Sequence, residues 1–288
     1  MHMSTASVTA KVCAYLRGID AIRQDRIFND YLALELLSNS EHEEIAQLTK
    51  DYRGTPVLQA MQSVPLSRST WAEGHLQCFA QGKRQVQYLI LGAGLDTFAW
   101  RNQNTRIRVF EIDHPATQQY KQERIANLQW HANSQIIFAG VNFEQDSLQE
   151  RLQASGLDPY LPTLISILGV SYYLPFTAFA STLQALSTLL KGPTRLLFDY
   201  QQAGFERLLG PQMLAAFTKS LGESMAEGYE YSALIGLLST LGWTHFEHLA
   251  PFDIDRIYFK KRHDHLHAFE SVHLLAATRS SVTYSHNA

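Results

Sequence analysis

The chain has 288 residues, of which 45% are hydrophobic and 18% charged, and its net charge is −3. This composition is ordinary for a globular protein with a sizeable core, and the small charge excludes a strong attraction to nucleic acid or acidic lipid. Two cysteines, Cys13 and Cys78, are too few for a disulfide framework, and no apolar run reaches the roughly 18 residues of a membrane span.

Residues 1–80 have helix-like sequence and precede the first predicted strand. Their first segment, MHMSTASVTAKV, lacks the long apolar core of a signal peptide. We therefore expect a helical N-terminal extension on a cytoplasmic protein.

Short apolar runs alternate with amphipathic stretches from residue 86 onward. Five runs have the length and apolar character of buried strands: QVQYLILGA, RIRVFEID, QIIFAGV, PTLISILGV and TRLLFDYQ. Helix-like segments lie between them, at PATQQYKQERIANL, FEQDSLQERLQASG and FTAFASTLQALSTLLKG. This alternation predicts an α/β protein with a doubly wound, mostly parallel sheet.

The C-terminal part of the chain departs from this alternation. Residues 203–241 form a second helical block, and WTHFEHLAPFDIDRIYF and SVHLLAATR follow as two predicted strands with no helix-length segment between them. These two strands are expected to form an antiparallel pair at one edge of the sheet. We predict a single domain over residues 1–288, with a Rossmann-like core at 85–202 and 242–280. The block 203–241 would be a lid near the carboxyl ends of the strands, where open α/β sheets bind ligands.

Three histidines alternate in the charged segment before the last predicted strand: His263, His265 and His267. Their spacing could place them on one face of a strand, which suggests a metal site. The chain has no cysteine partner for them and no HExxH pattern, which zinc sites typically provide. A polar surface loop is the preferred interpretation, and no metal is expected.

Two glycines, Gly92 and Gly94, flank Ala93 directly after the first predicted strand, in LILGAGLDTFAWR. A dinucleotide fingerprint has a third glycine where this chain has Thr97, so the pattern disfavours NAD. A lone GxG pattern also fits an ordinary tight turn between a strand and a helix.

The second predicted strand ends with an acid, Asp113, in RVFEIDHP. Asp113 follows Gly92 by 21 residues, close to the spacing at which an acid binds ribose hydroxyls in such folds. A glycine turn and a ribose acid without a clear pyrophosphate cradle favour a nucleoside that carries no phosphates. S-adenosylmethionine is the common ligand of this kind.

The segment LGAGLDTFAWR followed by FEIDHP resembles the leucine carboxyl methyltransferase-like family. The resemblance extends through VPLSRST, GVNFEQD, PTLISILGVSYYLP and FDYQ, and covers roughly residues 5–280. It implies a class I methyltransferase fold with seven strands and S-adenosylmethionine as cofactor. Members of this family include eukaryotic enzymes that methylate a protein's C-terminal leucine carboxylate and bacterial relatives associated with small-molecule biosynthesis.

The resemblance also implies which residues bind the cofactor. Arg68 would pair with its carboxylate, Gly92 and Gly94 would meet the methionine part, and Asp113 would hold the ribose. Asn142 and Phe143 would flank the adenine, and Arg17 matches a basic position that the family places near the cofactor carboxylate. The full set of expected cofactor-binding residues is Arg17, Arg68, Gly92, Ala93, Gly94, Asp113, Asn142, Phe143 and Gly169.

Two positions depart from the family pattern. Asn142 stands where the family usually has aspartate, and Leu168 stands where it usually has a glutamate before Gly169. Leu168 removes a carboxylate from the cofactor region, and Tyr172 and Tyr173 follow at once. We place these three residues, Leu168, Tyr172 and Tyr173, in the predicted catalytic region.

Three functions remain open on these residues. The first is methyl transfer to a carboxylate or hydroxyl of a small molecule in secondary metabolism. The second is ring closure within the cofactor, in which its own amine attacks the γ-carbon and yields azetidine-2-carboxylate and methylthioadenosine. An apolar neighbour such as Leu168 would lower the pKa of that amine and favour its reactive form. The third is a non-catalytic cofactor-binding module. The acceptor and the oligomeric state stay open, and neither nucleic acid nor a membrane is expected as a partner.

Overall fold

A seven-stranded sheet in the order β3-β2-β1-β4-β5-β7-β6 organises the computed structural model, which describes residues 6–133, 135–142 and 146–281. Strands β1 to β5 run parallel, and β7 is antiparallel to both of its neighbours, β5 and β6. The predicted parallel sheet with an antiparallel pair at one edge is therefore confirmed. The strands are β1 (Val86–Leu91), β2 (Ile107–Asp113), β3 (Ile136–Gly140), β4 (Thr163–Ile167), β5 (Thr194–Gln201), β6 (Thr244–Leu249) and β7 (Val272–Arg279).

Helices cover both faces of the sheet and its carboxyl end. They are α1 (Val8–Ala21), α2 (Asn39–Asp51), α3 (Pro56–Ala80), α4 (Phe98–Arg101), α5 (Pro115–Asn127), α6 (Leu148–Ala154), α7 (Phe176–Leu189), α8 (Leu209–Ser220), α9 (Tyr231–Thr240) and α10 (Pro251–Ile254). Short 3-10 turns occur at Ala33–Leu36, Ser171–Tyr173 and Phe205–Arg207. No helix in the described ranges is long and apolar enough to cross a membrane.

Local sequence signals start the helices of the N-terminal extension. The Ser7 hydroxyl accepts a hydrogen bond from the third N–H of α1, and Ser38 and Glu41 form a reciprocal capping box at α2. Thr55 caps α3, and Pro56 occupies its first turn, where a missing N–H costs nothing. The predicted helical extension thus follows from caps placed at each helix start.

Three hydrophobic clusters divide the interior. The first packs α6, α7 and α9 on one face of the sheet, and the second packs α3 and α4 on the other. The third joins α1, α2, α3 and α8 to residues at the carboxyl ends of the strands, among them Leu95, Tyr172 and Val272. The N-terminal extension and α8 therefore close the end of the sheet at which parallel α/β folds bind ligands.

One strand prediction was wrong in part. The segment 243–259 is a strand only over Thr244–Leu249, and α10 and a π-helical turn, Asp255–Phe259, follow before β7. The reason is Pro251, which cannot donate to a sheet ladder but fits the first turn of a helix. The histidines His263, His265 and His267 lie exposed in the loop that leads into β7, which agrees with the polar-loop interpretation.

The predicted lid segment, residues 203–241, divides into two parts with different surroundings. Helix α8 packs against α3 over the strand ends. Helix α9 instead buries Leu234 and Leu238 in the cluster on the face of the sheet. Only α8 and the residues after it therefore lie in the position of a lid.

Candidate cofactor and acceptor site

A cavity of about 300 Å³ opens at the carboxyl ends of β1, β2, β4 and β5, beneath α1, α3 and α8. The structure brings to its walls every predicted site residue that it describes: Arg17, Arg68, Gly92, Ala93, Gly94, Asp113, Asn142, Leu168, Gly169, Tyr172 and Tyr173. Phe143 lies outside the described residues. The volume is at the lower end of the range for sites that enclose a small organic ligand.

The glycine turn after β1 depends on glycine for its own geometry. Gly92 and Gly94 have φ angles of +73° and +50°, a region that side chains disfavour. A Cβ atom at position 92 would also overlap the side chain of Val170. Both glycines are thus required by the turn itself, which presents its backbone to the cavity.

Asp113 joins the glycine turn to the end of β2. One of its carboxylate oxygens accepts a hydrogen bond from the N–H of Gly94, and the other accepts from the N–H of His114 at 2.6 Å. Burial raises the pKa of the Asp113 carboxyl, while the two N–H groups act in the opposite direction. Each oxygen keeps a second lone pair, so the carboxylate suits a pair of ribose hydroxyls.

Arg68 is held at the cavity by a carboxylate that the sequence analysis did not single out. Its Nη1 donates to Asp199 Oδ2 at 2.9 Å, and Asp199 accepts further bonds from the Tyr172 hydroxyl and the Gly169 N–H, each at 2.7 Å. Burial acts to lower the pKa of Arg68, but the Asp199 carboxylate raises it overall. The guanidinium lies directly over Gly169. A Cβ atom at that position would be only 2.6 Å from Arg68 Nη2.

Arg17 reaches the cavity but its guanidinium is already bound by the protein. Nε donates to Asp30 at 2.9 Å, and Nη2 donates to the carbonyl of Leu95 at 2.7 Å. Thr97, the residue in place of the third glycine, donates its hydroxyl to the same Asp30. Burial acts to raise the pKa of Asp30, but the nearby guanidinium groups hold it below its ordinary value. Arg17 therefore fastens α1 to the glycine turn.

Glu223 ties the segment after α8 to the first turn of α1. Its Oε1 accepts from the Ser7 hydroxyl at 2.8 Å and from the N–H of Val8 at 2.9 Å, and its other oxygen accepts from the Thr9 hydroxyl. An acid is favoured at the positive end of the helix dipole, which adds to these bonds. This contact forms the roof of the cavity.

The part of the cavity beyond Leu168 is mostly apolar. Its walls include side chains from α3, from α8 and from the residue after β4, namely Met61, Val64, Leu168 and Leu214. Tyr173 also borders the cavity, and burial raises the pKa of its hydroxyl. The site thus has a polar half, with the glycine turn and Asp113, and an apolar half.

A sequence profile described as leucine carboxyl methyltransferase matches residues 10–187, which confirms the predicted resemblance. The chain is also 29% identical over 308 residues to YktD of Bacillus subtilis, and the match covers 97% of this chain and all of that protein. A Frankia alni protein is 27% identical, over 82% of this chain and 81% of its own. Both relatives are named as S-adenosyl-L-methionine-dependent methyltransferases, which favours an enzyme over a non-catalytic module.

Solved structures support the class I methyltransferase fold. A methyltransferase-like protein from Thermobifida fusca superimposes with a TM-score of 0.62 at 14% identity, covering 97% of both chains. A Streptomyces avermitilis protein superimposes with a TM-score of 0.57 at 11% identity, over 95% of this chain and 98% of its own. At these identities the similarity concerns the fold alone.

We predict that Gly169→Ala weakens binding of S-adenosylhomocysteine about tenfold, measured by isothermal titration calorimetry. The new methyl group would displace the Arg68 guanidinium and remove a charge-assisted hydrogen bond worth roughly 1.5–3 kcal/mol. Gly54→Ala is the matched control, because Gly54 shares the φ angle of +75° but has no atom within 4 Å of the position of its Cβ. Equal affinities for the two variants would exclude Arg68 as the partner of the cofactor carboxylate.

We predict that Asp113→Ala weakens the same binding by about 1–3 kcal/mol, because the ribose hydroxyls lose a charged acceptor. In the wild type, protonation of Asp113 has the same consequence. The affinity should therefore fall as the pH drops through the raised pKa of this carboxyl. Asp113→Asn, which keeps the size but cannot ionise, should show a flatter dependence on pH. A pH dependence that is identical in Asp113→Asn and the wild type would contradict the assignment.

Proposed function

We propose that this protein methylates a carboxylate or hydroxyl oxygen of a small molecule. The premise is that the chain belongs to the leucine carboxyl methyltransferase family and is an S-adenosylmethionine-dependent methyltransferase. The observation that carries the proposal is a cavity whose walls carry both the Asp113 carboxylate and apolar side chains from α3 and α8. A location in the cytoplasm and a place in secondary metabolism remain predictions from the sequence, as does the division into core, extension and lid.

The cofactor would lie across the carboxyl ends of the strands. Asp113, Asn142 and Arg68 line the cavity. In this proposal the Asp113 carboxylate would bind the ribose, Asn142 would flank the adenine, and Arg68 would bind the carboxylate of the methionine part. When bound, S-adenosylmethionine supplies an electrophilic methyl group on a sulfonium. The apolar half of the cavity would then hold the acceptor against that methyl group.

The residues of the chain supply alignment and exclusion of water. Methyl transfer needs the attacking oxygen, the methyl carbon and the sulfur in line, and a cavity that holds both reactants fixes that geometry. A carboxylate acceptor is already ionised at neutral pH and needs no base. Glu223, the carboxylate in the roof of the cavity, already accepts bonds from Ser7, Val8 and Thr9, so the proposal assigns it no proton transfer.

The test is incubation of the protein with S-adenosylmethionine and a panel of small carboxylates, phenols, alcohols, amines and thiols, followed by mass spectrometry. We expect S-adenosylhomocysteine and a methyl ester or methyl ether, formed only when an acceptor is present. A methylated nitrogen or sulfur atom in the product, with oxygen acceptors inert, would contradict oxygen methylation.

The position of Leu168 supports a second candidate function, which is cyclisation of the cofactor. Its side chain lines the cavity next to Gly169, where the family usually has a carboxylate. The Asp199 carboxylate, which binds the N–H of the adjacent Gly169, already accepts bonds from three groups of the protein. An amine placed here would have an apolar neighbour, which favours its neutral, nucleophilic form.

We predict that Leu168→Glu lowers acceptor-free formation of methylthioadenosine and moves its pH optimum upward, if the wild type carries out this reaction. A carboxylate stabilises the ammonium form, and each unit by which the pKa of the amine rises costs about 1.4 kcal/mol. Leu168→Gln, similar in size but uncharged, is the control and should keep the wild-type pH optimum. If the wild type gives no methylthioadenosine without an acceptor, the cyclisation candidate is wrong.

A further inference from the structure

Asp96, an acid just after the glycine turn, lines the cavity and keeps one carboxylate oxygen free for a ligand. Its N–H donates to the carbonyl of Ala93 at 2.9 Å, which holds the residue against the turn. Its Oδ1 accepts a hydrogen bond from the N–H of Phe98 at 2.6 Å, at the start of α4. Within the described ranges its Oδ2 has no hydrogen-bond partner, and this oxygen is not one of the unpartnered polar atoms that the protein encloses. Asp96 is half-buried, so its free oxygen is accessible to a donor in the cavity.

The carboxylate of Asp96 lies on the side of the cavity to which β4 contributes Ser166 and Leu168. Burial raises the pKa of the Tyr88 hydroxyl, and the Asp96 carboxylate raises it further, so the two groups are close enough to interact. The same Tyr88 hydroxyl accepts a hydrogen bond from the Ser166 hydroxyl at 3.1 Å. Ser166 and Leu168 are two residues apart, and both line the cavity. Asp96 therefore places a negative charge in the region where Leu168 supplies none.

No cationic side chain of the described part of the chain forms an ion pair with Asp96. The arginines around the cavity are each paired with other carboxylates: Arg17 with Asp30, Arg68 with Asp199, and Arg101 with Asp30 and Glu73. A partly buried carboxylate without a cation is unfavourable, because it has lost part of its hydration and gained no opposite charge. The free oxygen of Asp96 therefore favours a ligand group that is both a cation and a hydrogen-bond donor.

We propose that Asp96 binds the ammonium group of S-adenosylmethionine, as the anionic counterpart of Arg68 at the carboxylate of the same amino-acid end. An ammonium has three N–H donors and a full positive charge, which match a free carboxylate oxygen. The inference rests on the proposed function and deepens it, because it assigns a binding residue to a part of the cofactor that had none. A carboxylate partner also stabilises the protonated amine, so this assignment favours methyl transfer over cyclisation.

The experiment is isothermal titration calorimetry with two ligands, S-adenosylhomocysteine and its analogue in which hydrogen replaces the amino group. We expect the wild type to bind S-adenosylhomocysteine about tenfold more tightly than the analogue, because only the former brings an ammonium to Asp96. Asp96→Asn should bind S-adenosylhomocysteine about tenfold more weakly than the wild type does, and should bind the analogue at least as tightly. Asparagine keeps an oxygen that can accept from the N–H of Phe98, so the start of α4 should be preserved.

Asp113→Asn is the matched control, because Asp113 also lines the cavity but is assigned to the ribose, which both ligands contain. This variant should bind both ligands more weakly and keep the wild-type preference for S-adenosylhomocysteine. Equal affinities of the two ligands for the wild type, or an unchanged preference in Asp96→Asn, would overturn the role of Asp96. None of these measurements involves an acceptor. Failure of oxygen methylation would appear separately, as the absence of methylated oxygen products with the wild type.

Discussion

The buried carboxylate of Asp199 is the contact on which the arrangement of the site depends. It lies fully buried in β5 and accepts hydrogen bonds from Arg68 of α3, from the N–H of Gly169 after β4 and from the hydroxyl of Tyr172. A buried ion pair contributes little net stability, because both charges lose their hydration. Its value here is geometric: it fixes α3 and the segment 169–172 after β4 to β5 at one point, and Arg68 lines the cavity there.

The N-terminal extension is fixed in place by similar means. Arg17 joins α1 to Asp30 and to the carbonyl of Leu95 in the glycine turn, and Glu223 joins the first turn of α1 to the segment after α8. The extension thus contacts both the glycine turn and the segment after α8, and both of these border the cavity. A displacement of α1 would remove the part of the cavity wall that Ala10, Cys13 and Arg17 form.

The fold and the polar half of the site could be predicted because their signals are local. The glycine turn, Asp113 at the end of β2 and the caps of α1 and α2 are each defined by a few neighbouring residues. Asp199 and Asp30 could not be predicted in this way, because their roles depend on contacts between distant segments. For Asp199 a signal did exist: an acid within the otherwise apolar strand TRLLFDYQ needs a buried partner. The strand predicted over 243–259 is too long, because Pro251 cannot pair within a sheet and starts a helix instead.

The pairing of each cavity arginine with a carboxylate also bears on how a cationic cofactor can be bound. An unpaired guanidinium at Arg68 would attract the carboxylate of the methionine part but would repel the sulfonium a few bonds away. With Asp199 bound to it, Arg68 has little net field at a distance, yet it keeps N–H groups that can donate to a carboxylate in direct contact. The site can therefore bind one end of the cofactor by directed hydrogen bonds without an electrostatic penalty at the reacting centre.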